Sequence, residues 1–205
     1  SKDYFTTCLQ TSGYNRTPSE IADKGSQRQI AFCGNFAYRI KNIHLGLNAI
    51  QYSFKYPLQK SSDPYNLYAL SGKAFGNYST DYAYTYRNLH FFGEAAISDK
   101  KYPAFINGLL ISTAPNVDMS FVYRNISKRY QSLYTNAFTE NTYPTNEKGL
   151  FSGITVRPST AWRVDAYVDM YRFPFIKYRV NAPTTGSDHL VQLTYKPNKI
   201  FEIYT

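Results

Sequence analysis

Three histidines, His44, His90 and His189, are the groups in this 205-residue chain best suited to move a proton near neutral pH. Acyl-transfer chemistry would need one of them beside a nucleophile and an orienting carboxylate. The run "SDHL" sets Ser187, Asp188 and His189 next to one another, but a triad is defined in space and not by adjacency. No GxSxG, HExxH, Walker A or GxGxxG pattern occurs. Cys8 and Cys33 do not make a metal spacing such as CxxC; one disulfide in an exported protein or two free thiols fit equally well. The expectation is therefore no catalytic residue, no metal and no cofactor. A second set of polar groups is more regular. Asp81, Glu94, Asp118, Arg124, Arg163, Asp165 and Asp169 each stand opposite an alternating apolar row. Charges of both signs on one face would cross-brace a narrow lumen as salt bridges or line a water-filled one, and bracing is the cheaper arrangement.

The elements that position these charges are strands. In "AWRVDAYVDMYRF", Trp162, Val164, Ala166, Val168 and Met170 share one face, and Arg163, Asp165, Tyr167, Asp169 and Tyr171 share the other. That is the period of two of an extended chain. The same alternation runs through "QIAFCGNFAYRI", "IHLGLNA", "NYSTDYAYTY" and Val117 to Tyr123, with an apparent phase slip at Ala49-Ile50 that suggests a bulge. "AFINGLLIS" is apolar on both faces, "LFSGITV" and "HLVQLTYK" supply further strands, and "IFEIYT" reads as the last. The total is about ten strands.

Short and long breaks alternate along the chain. The short ones are Lys41-Asn42, Arg87-Asn88, Thr113 to Asn116, Arg157 to Thr160 and Pro197 to Lys199. Every other break is longer. Soluble sandwiches have no need for this order, whereas outer-membrane barrels carry short periplasmic turns and longer extracellular loops. Aromatics follow the same geometry: Tyr38, Tyr86 and Trp162 adjoin short turns, and Phe54, Tyr56, Phe173 and Phe175 adjoin long loops, as two interface belts would. The longest break, about Asn125 to Lys148, carries Tyr130, Leu133, Tyr134, Phe138 and Tyr143, too apolar for a solvated tail. It is expected to fold over or into the lumen as a lid, with Lys128, Arg129, Glu140, Glu147 and Lys148 available to pair with Arg124 and Asp169.

Composition agrees. Charged residues make up 18% of the chain, below the ~25% of ordinary soluble domains. The 21 Tyr and 14 Phe are spread among alternating segments, and no apolar run suits a transmembrane helix. The net charge of +9 comes from Lys and Arg scattered through turns and loops rather than from one block. Solvated turns, lipopolysaccharide headgroups and nucleic acid all remain open as their counterparts. Residues 1–26 read as a polar irregular segment, and 27–205 as barrel strands. A chain of this kind is expected to be part of a larger barrel, because an open sheet edge is not viable in lipid.

"FVYRNISKRYQSLYTNAFTENTYPTNEKGLFSGI" and "YRFPFIKYRVNAPTTGSDHLVQLTYKP" resemble the barrel portion of Bacteroidota outer-membrane proteins that carry an N-terminal helix-hairpin-helix segment. The resemblance spans roughly Gly34 to the end and is strongest from Asn107 to Pro197. The helix-hairpin-helix is absent from these residues, so the DNA handling it implies transfers to none of them. The expected fold is an all-β, antiparallel up-and-down transmembrane β-barrel. The expected role is passage, anchoring or complex assembly in a Gram-negative outer membrane, in contact with lipid, lipopolysaccharide and other outer-membrane or periplasmic proteins. Two alternatives stand beside it: a soluble exported β-sandwich binding carbohydrate through exposed tyrosines, and an outer-membrane hydrolase using His189.

Overall fold

The computed structural model describes residues 5–7, 9, 13, 14 and 16–205; Cys8 lies outside them. Ten strands form one antiparallel sheet: β1 (Gln29–Ile40), β2 (Ile43–Leu58), β3 (Gly72–Tyr86), β4 (Leu89–Ser98), β5 (Pro103–Ala114), β6 (Val117–Ile126), β7 (Glu147–Ser159), β8 (Trp162–Phe173), β9 (Thr184–Tyr195) and β10 (Ile203–Tyr204). Each strand pairs with its sequence neighbours, and the sheet is not closed by pairing between β1 and β10. Cys33, a free thiol, lies exposed on edge strand β1.

The alternation of turns is present. Lys41-Asn42, Arg87-Asn88, Pro115-Asn116 and Thr160-Ala161 join strands at one end of the sheet, and residues 59–71, 99–102, 127–146 and 174–183 join them at the other. Lys41 (φ 47°) and Arg87 (φ 53°) take the positive φ that a two-residue hairpin needs at its first position. Two short turns are tighter than the sequence suggests, because the strands continue through irregular pairing. Pro158, which has no N–H to donate, falls in the register shift between Val156 and Ser159. The last strand is shorter than expected. The Asn198 side chain accepts from the N–H groups of Ile200 and Phe201, at 3.0 and 2.9 Å, so the first residues of "IFEIYT" turn instead of pairing.

Residues 1–26 are not wholly irregular. Pro18–Ala22 forms a short helix, α1, capped reciprocally by Thr17 and Glu20. The spacing "TPSE" is a capping box with Pro in the first turn, a signal present in the sequence.

Cross-strand register defines the two faces, since directly paired residues share one. The first face, called apolar here, runs Tyr38↔Leu45↔Tyr82↔Gly93↔Asn107↔Tyr123↔Leu150↔Met170 from β1 to β8. It resolves "AFINGLLIS": Phe105, Leu109 and Ile111 join the apolar face, and Ala104, Ile106, Gly108 and Leu110 the other. One amide in this face is satisfied locally. The Tyr82 hydroxyl donates to Asn107 Oδ1 at 2.7 Å across Gly93, where a Cβ would come within 2.9 Å of both atoms.

Burial is concentrated on the opposite face, at the loop end. Tyr52, Phe54, Leu58 and Phe75 form one cluster, packed by Leu9, Ile50, Leu70 and Leu133. Ala104, Ile126 and Tyr130 form a second. The first cluster explains the apparent phase slip in β2. There is no bulge at Ala49-Ile50; β1–β2 pairing is continuous from Ile43 to Phe54. The apolar residues change face because the loop end of the polar face is covered by loops and is itself a core.

Candidate functional site

All seven predicted lumen charges lie on this second, polar face, by the same register. They pair mostly between neighbouring strands. Arg157 Nη1 lies 2.5 Å from Asp118, Arg163 Nε 2.6 Å from Asp165, and His44 Nε2 3.0 Å from Asp81. Glu94 acts on the Tyr130 hydroxyl, whose pKa is pushed up by burial first and by that carboxylate second. The three histidines do not converge on a site. His44 meets Asp81, His90 Nδ1 lies 2.7 Å from the Thr85 hydroxyl, and His189 stands on the apolar face opposite Val168. Ser187 shares that apolar face while Asp188 turns to the polar one and accepts from the Tyr167 hydroxyl at 2.8 Å, so these neighbours form no triad.

The densest constellation sits at the loop end of β6, β7 and β8. Arg124, fully buried, donates from Nε to Glu147 Oε1 at 2.5 Å and from Nη1 to Asp169 Oδ1 at 2.9 Å. Its Nη2 lies 2.9 Å from Asp169 Oδ2, near enough for charge attraction but without hydrogen-bond alignment. Space for the guanidinium comes from Gly149, its cross-strand partner, where a Cβ would stand 2.5 Å from Cζ. Glu147 also accepts from the backbone N–H groups of Glu140 and Asn141, each at 3.0 Å. One carboxylate thus joins the sheet to the long loop. Phe138 completes the arrangement, with its ring 5.4 Å from Arg124 Cζ and edge-on to Phe151.

Residues 127–146 pack down on the polar face instead of projecting away from it. Tyr130 is buried, Leu133 packs on the first cluster, and the Tyr134 ring meets Tyr52 edge-on at 5.5 Å while its hydroxyl donates to Gln29 at 2.7 Å. Tyr143 stays exposed. Among the charges expected to anchor this loop, Glu147 does so. Lys128 instead lies over the rings of Tyr68 and Phe175, and Arg129 donates to the Tyr102 hydroxyl at 3.0 Å. Lys148 points to the apolar face.

The aromatic belts need correction at one end. Tyr38, Tyr86 and Trp162 are exposed on the apolar face beside short turns, with Trp162 against Tyr195 at 4.5 Å. Phe54 and Phe173, however, are buried on the polar face, and Phe175 packs on Tyr68 at 4.8 Å within the loops. Tyr56 is half-buried and carries Lys55 against its ring. Their alternation places them beneath the loop layer, where the core lies. The aromatics toward the loop end of the apolar face include Phe32, Tyr78, Phe105 and Tyr123.

Three loops, with Thr7 and Leu9 of the N-terminal segment, border an open cavity of about 910 Å³. They are held together by amide clamps that sequence reasoning missed. Gln131 Nε2 donates to the carbonyls of Tyr68 and Ala69, at 3.3 and 3.0 Å. Asn146, at φ 55°, donates to the Phe175 carbonyl at 2.9 Å and accepts from the Phe175 N–H at 2.8 Å. The only sequence signal was compositional: "DPYNLYAL" and "FPFIKYRV" are aromatic for loops. Comparison with known protein families, with curated proteins and with solved structures finds no match to this chain.

Proposed function

We propose that this sheet is wall of a transmembrane β-barrel in a Gram-negative outer membrane. The apolar face meets lipid, the polar face meets the lumen, and residues 127–146 close the lumen mouth on the outer side. Further strands along β1 and β9 would complete the wall, since an unpaired edge is not viable in hydrocarbon. The protein then serves passage, anchoring or assembly at the envelope without covalent chemistry.

The observation that carries this reading is the limit of the apolar face. On β8 it runs from Trp162 to Met170, about 27 Å at ~3.4 Å per residue, or roughly 19–22 Å high at a tilt of 35–45°. That is close to the ~25 Å lipid band of outer-membrane barrels. Beyond it, at the loop end, the face turns polar along one row, Asn125↔Lys148↔Arg172↔Thr185. Lys148 and Arg172 are like charges directly opposite each other, with no carboxylate partner among the described residues. Such a pair is unfavourable in water alone and favourable beside anionic headgroups. A soluble sandwich would instead need a second sheet over the apolar face, and every strand here belongs to one sheet.

Fractionation with an alkaline carbonate wash, followed by protease treatment of intact cells, tests the reading. The protein should stay with the outer membrane until detergent is added. Cleavage should fall between Arg129 and Lys148 and spare Arg87-Asn88 and Thr160-Ala161. Release by carbonate, or cleavage at the short turns, refutes the membrane placement or its orientation respectively.

A further inference from the structure

We infer that the loop-end cavity is a binding site for an acidic oligosaccharide, one carrying carboxylate or sulfate groups. The inference rests on the cavity and not on the membrane reading. At about 910 Å³ it lies within the ~300–1,000 Å³ of small-ligand sites. Its walls are built, not a gap between loose segments: the Gln131 and Asn146 clamps tie all three loops together, and Tyr65 meets Tyr178 edge-on at 5.4 Å across them.

The chemistry of the lining is specific in three ways. Tyr65, Tyr68, Phe175 and Tyr178 line it, with Lys128 over the rings of Tyr68 and Phe175 and Arg179 over that of Tyr178. Aromatic faces carry negative quadrupole density and suit the weakly positive C–H faces of a pyranose. Asn136, Thr142 and Tyr143 also line it, and their side-chain polar groups make no hydrogen bond among the described residues, while the Thr135 hydroxyl pairs with that of Ser132. Both donors and acceptors are thereby left for sugar hydroxyls. The charge is positive: Lys60, Lys128 and Lys177 against Glu140, three less one, or +2.

These lysines make no ion pair with a carboxylate among the described residues, although the Glu147 and Glu140 charges act on Lys177 at longer range. Lys128 rests on the rings of Tyr68 and Phe175, Lys177 Nζ lies 3.6 Å from the Phe173 ring centroid, and Lys60 makes no ion pair among the described residues. A ring face holds a cation in place without cancelling its charge. The same lining suits nucleic acid less well, because it contains no glycine at which backbone N–H groups would cradle a phosphate.

Calorimetric titration of the whole chain in detergent micelles tests this. Tetragalacturonate is the probe, with maltotetraose, inorganic sulfate and a thymidine tetranucleotide as comparators. Tetragalacturonate should bind at one site, at least about tenfold tighter than any comparator, a margin of ~1.4 kcal/mol. Tyr178→Ala and Lys60→Gln should each weaken it about threefold to tenfold. Both side chains are exposed, and far-UV circular dichroism should show the sheet unchanged in both variants. No binding of tetragalacturonate overturns the inference. Equal binding of maltotetraose removes its anionic element, equal binding of sulfate or the tetranucleotide removes its sugar element, and unweakened variants remove its location.

Discussion

Removing the cation from the buried cluster at the loop end should cost more than any other single change on the polar face. Arg124 has no exposed surface, and its partners Glu147 and Asp169 have side chains 0% and 5% exposed. Arg124→Met keeps the volume and leaves two carboxylates facing each other out of water. Lys177, which feels the Glu147 and Glu140 charges, remains as a cation within electrostatic reach of the cluster. Breaking a buried pair by deleting one partner costs about 3–5 kcal/mol, and this range applies here because both acids lose their counter-charge. Glu147→Gln removes one charge and keeps one oxygen, which can still accept from Arg124 Nε and the Glu140 N–H, but it sets an NH2 group against the Asn141 N–H that bonds the other oxygen, so about 1–3 kcal/mol is expected. The two changes touch one network, so the double variant should be less destabilised than the sum by more than about 1 kcal/mol. Urea titration of protein folded into lipid vesicles, followed by far-UV circular dichroism, gives the three values. Limited proteolysis should in parallel cut residues 137–146 faster in each variant than in the unaltered protein. A cost below about 1 kcal/mol for Arg124→Met, or strict additivity of the pair, would refute the buried network as the loop's anchor.

Val168→Arg should impair folding into bilayers by about 2–4 kcal/mol, the cost of a base near the midplane, while Asp165→Asn on the polar face should be much milder; comparable losses in a lipid refolding titration would count against the assignment of faces. Deleting Ser132 to Asn146 should raise single-channel conductance in planar bilayers with the sheet retained, and an unchanged conductance would reject this loop as the closure. Burial lowers the Lys177 pKa below its ordinary 10.5, with Glu147 and Glu140 opposing in part. The unfolded chain then binds more protons between the two values, so this lysine's contribution to stability improves as pH rises through that window. Over the same window it loses the charge that would hold an acidic sugar. Tetragalacturonate affinity should therefore begin to fall below pH 10.5, earlier than for a lysine of ordinary pKa, and loss of that early fall in Lys177→Met would identify the group.

The strands, most of their faces and the order of turns were legible in the sequence, because each depends on residues near one another in the chain; the facing of "AFINGLLIS" and the continuous alternation of β2 through Ala49-Ile50 were not. Alternation with period two places Arg163, Asp165 and Asp169 on one face and Val164, Val168 and Met170 on the other whatever the rest of the protein does. The cap of α1 was equally local: "TPSE" states it. What lies above a face is not local. Phe54 and Phe173 carry the same alternating signal as Tyr38 and Trp162, yet they are buried under loops while the latter two are exposed. Only the path of residues 127–146 over the polar face makes that difference.

The anchoring role of Glu147 was within reach of the sequence, as one of several loop charges opposite Arg124 and Asp169. Its selection over Lys148 was decided by register: Glu147 pairs with Ile126 on the polar face and Lys148 with Asn125 on the apolar one. The cavity was beyond reach altogether. Its clamps join Gln131 to Tyr68 and Asn146 to Phe175, and the loop that roofs it is tied to Gln29 through Tyr134, 105 positions away. No periodicity relates such positions. Their meeting follows from the way a ten-stranded sheet brings the ends of β2, β6 and β8 to one rim, and that is a property of the folded chain alone.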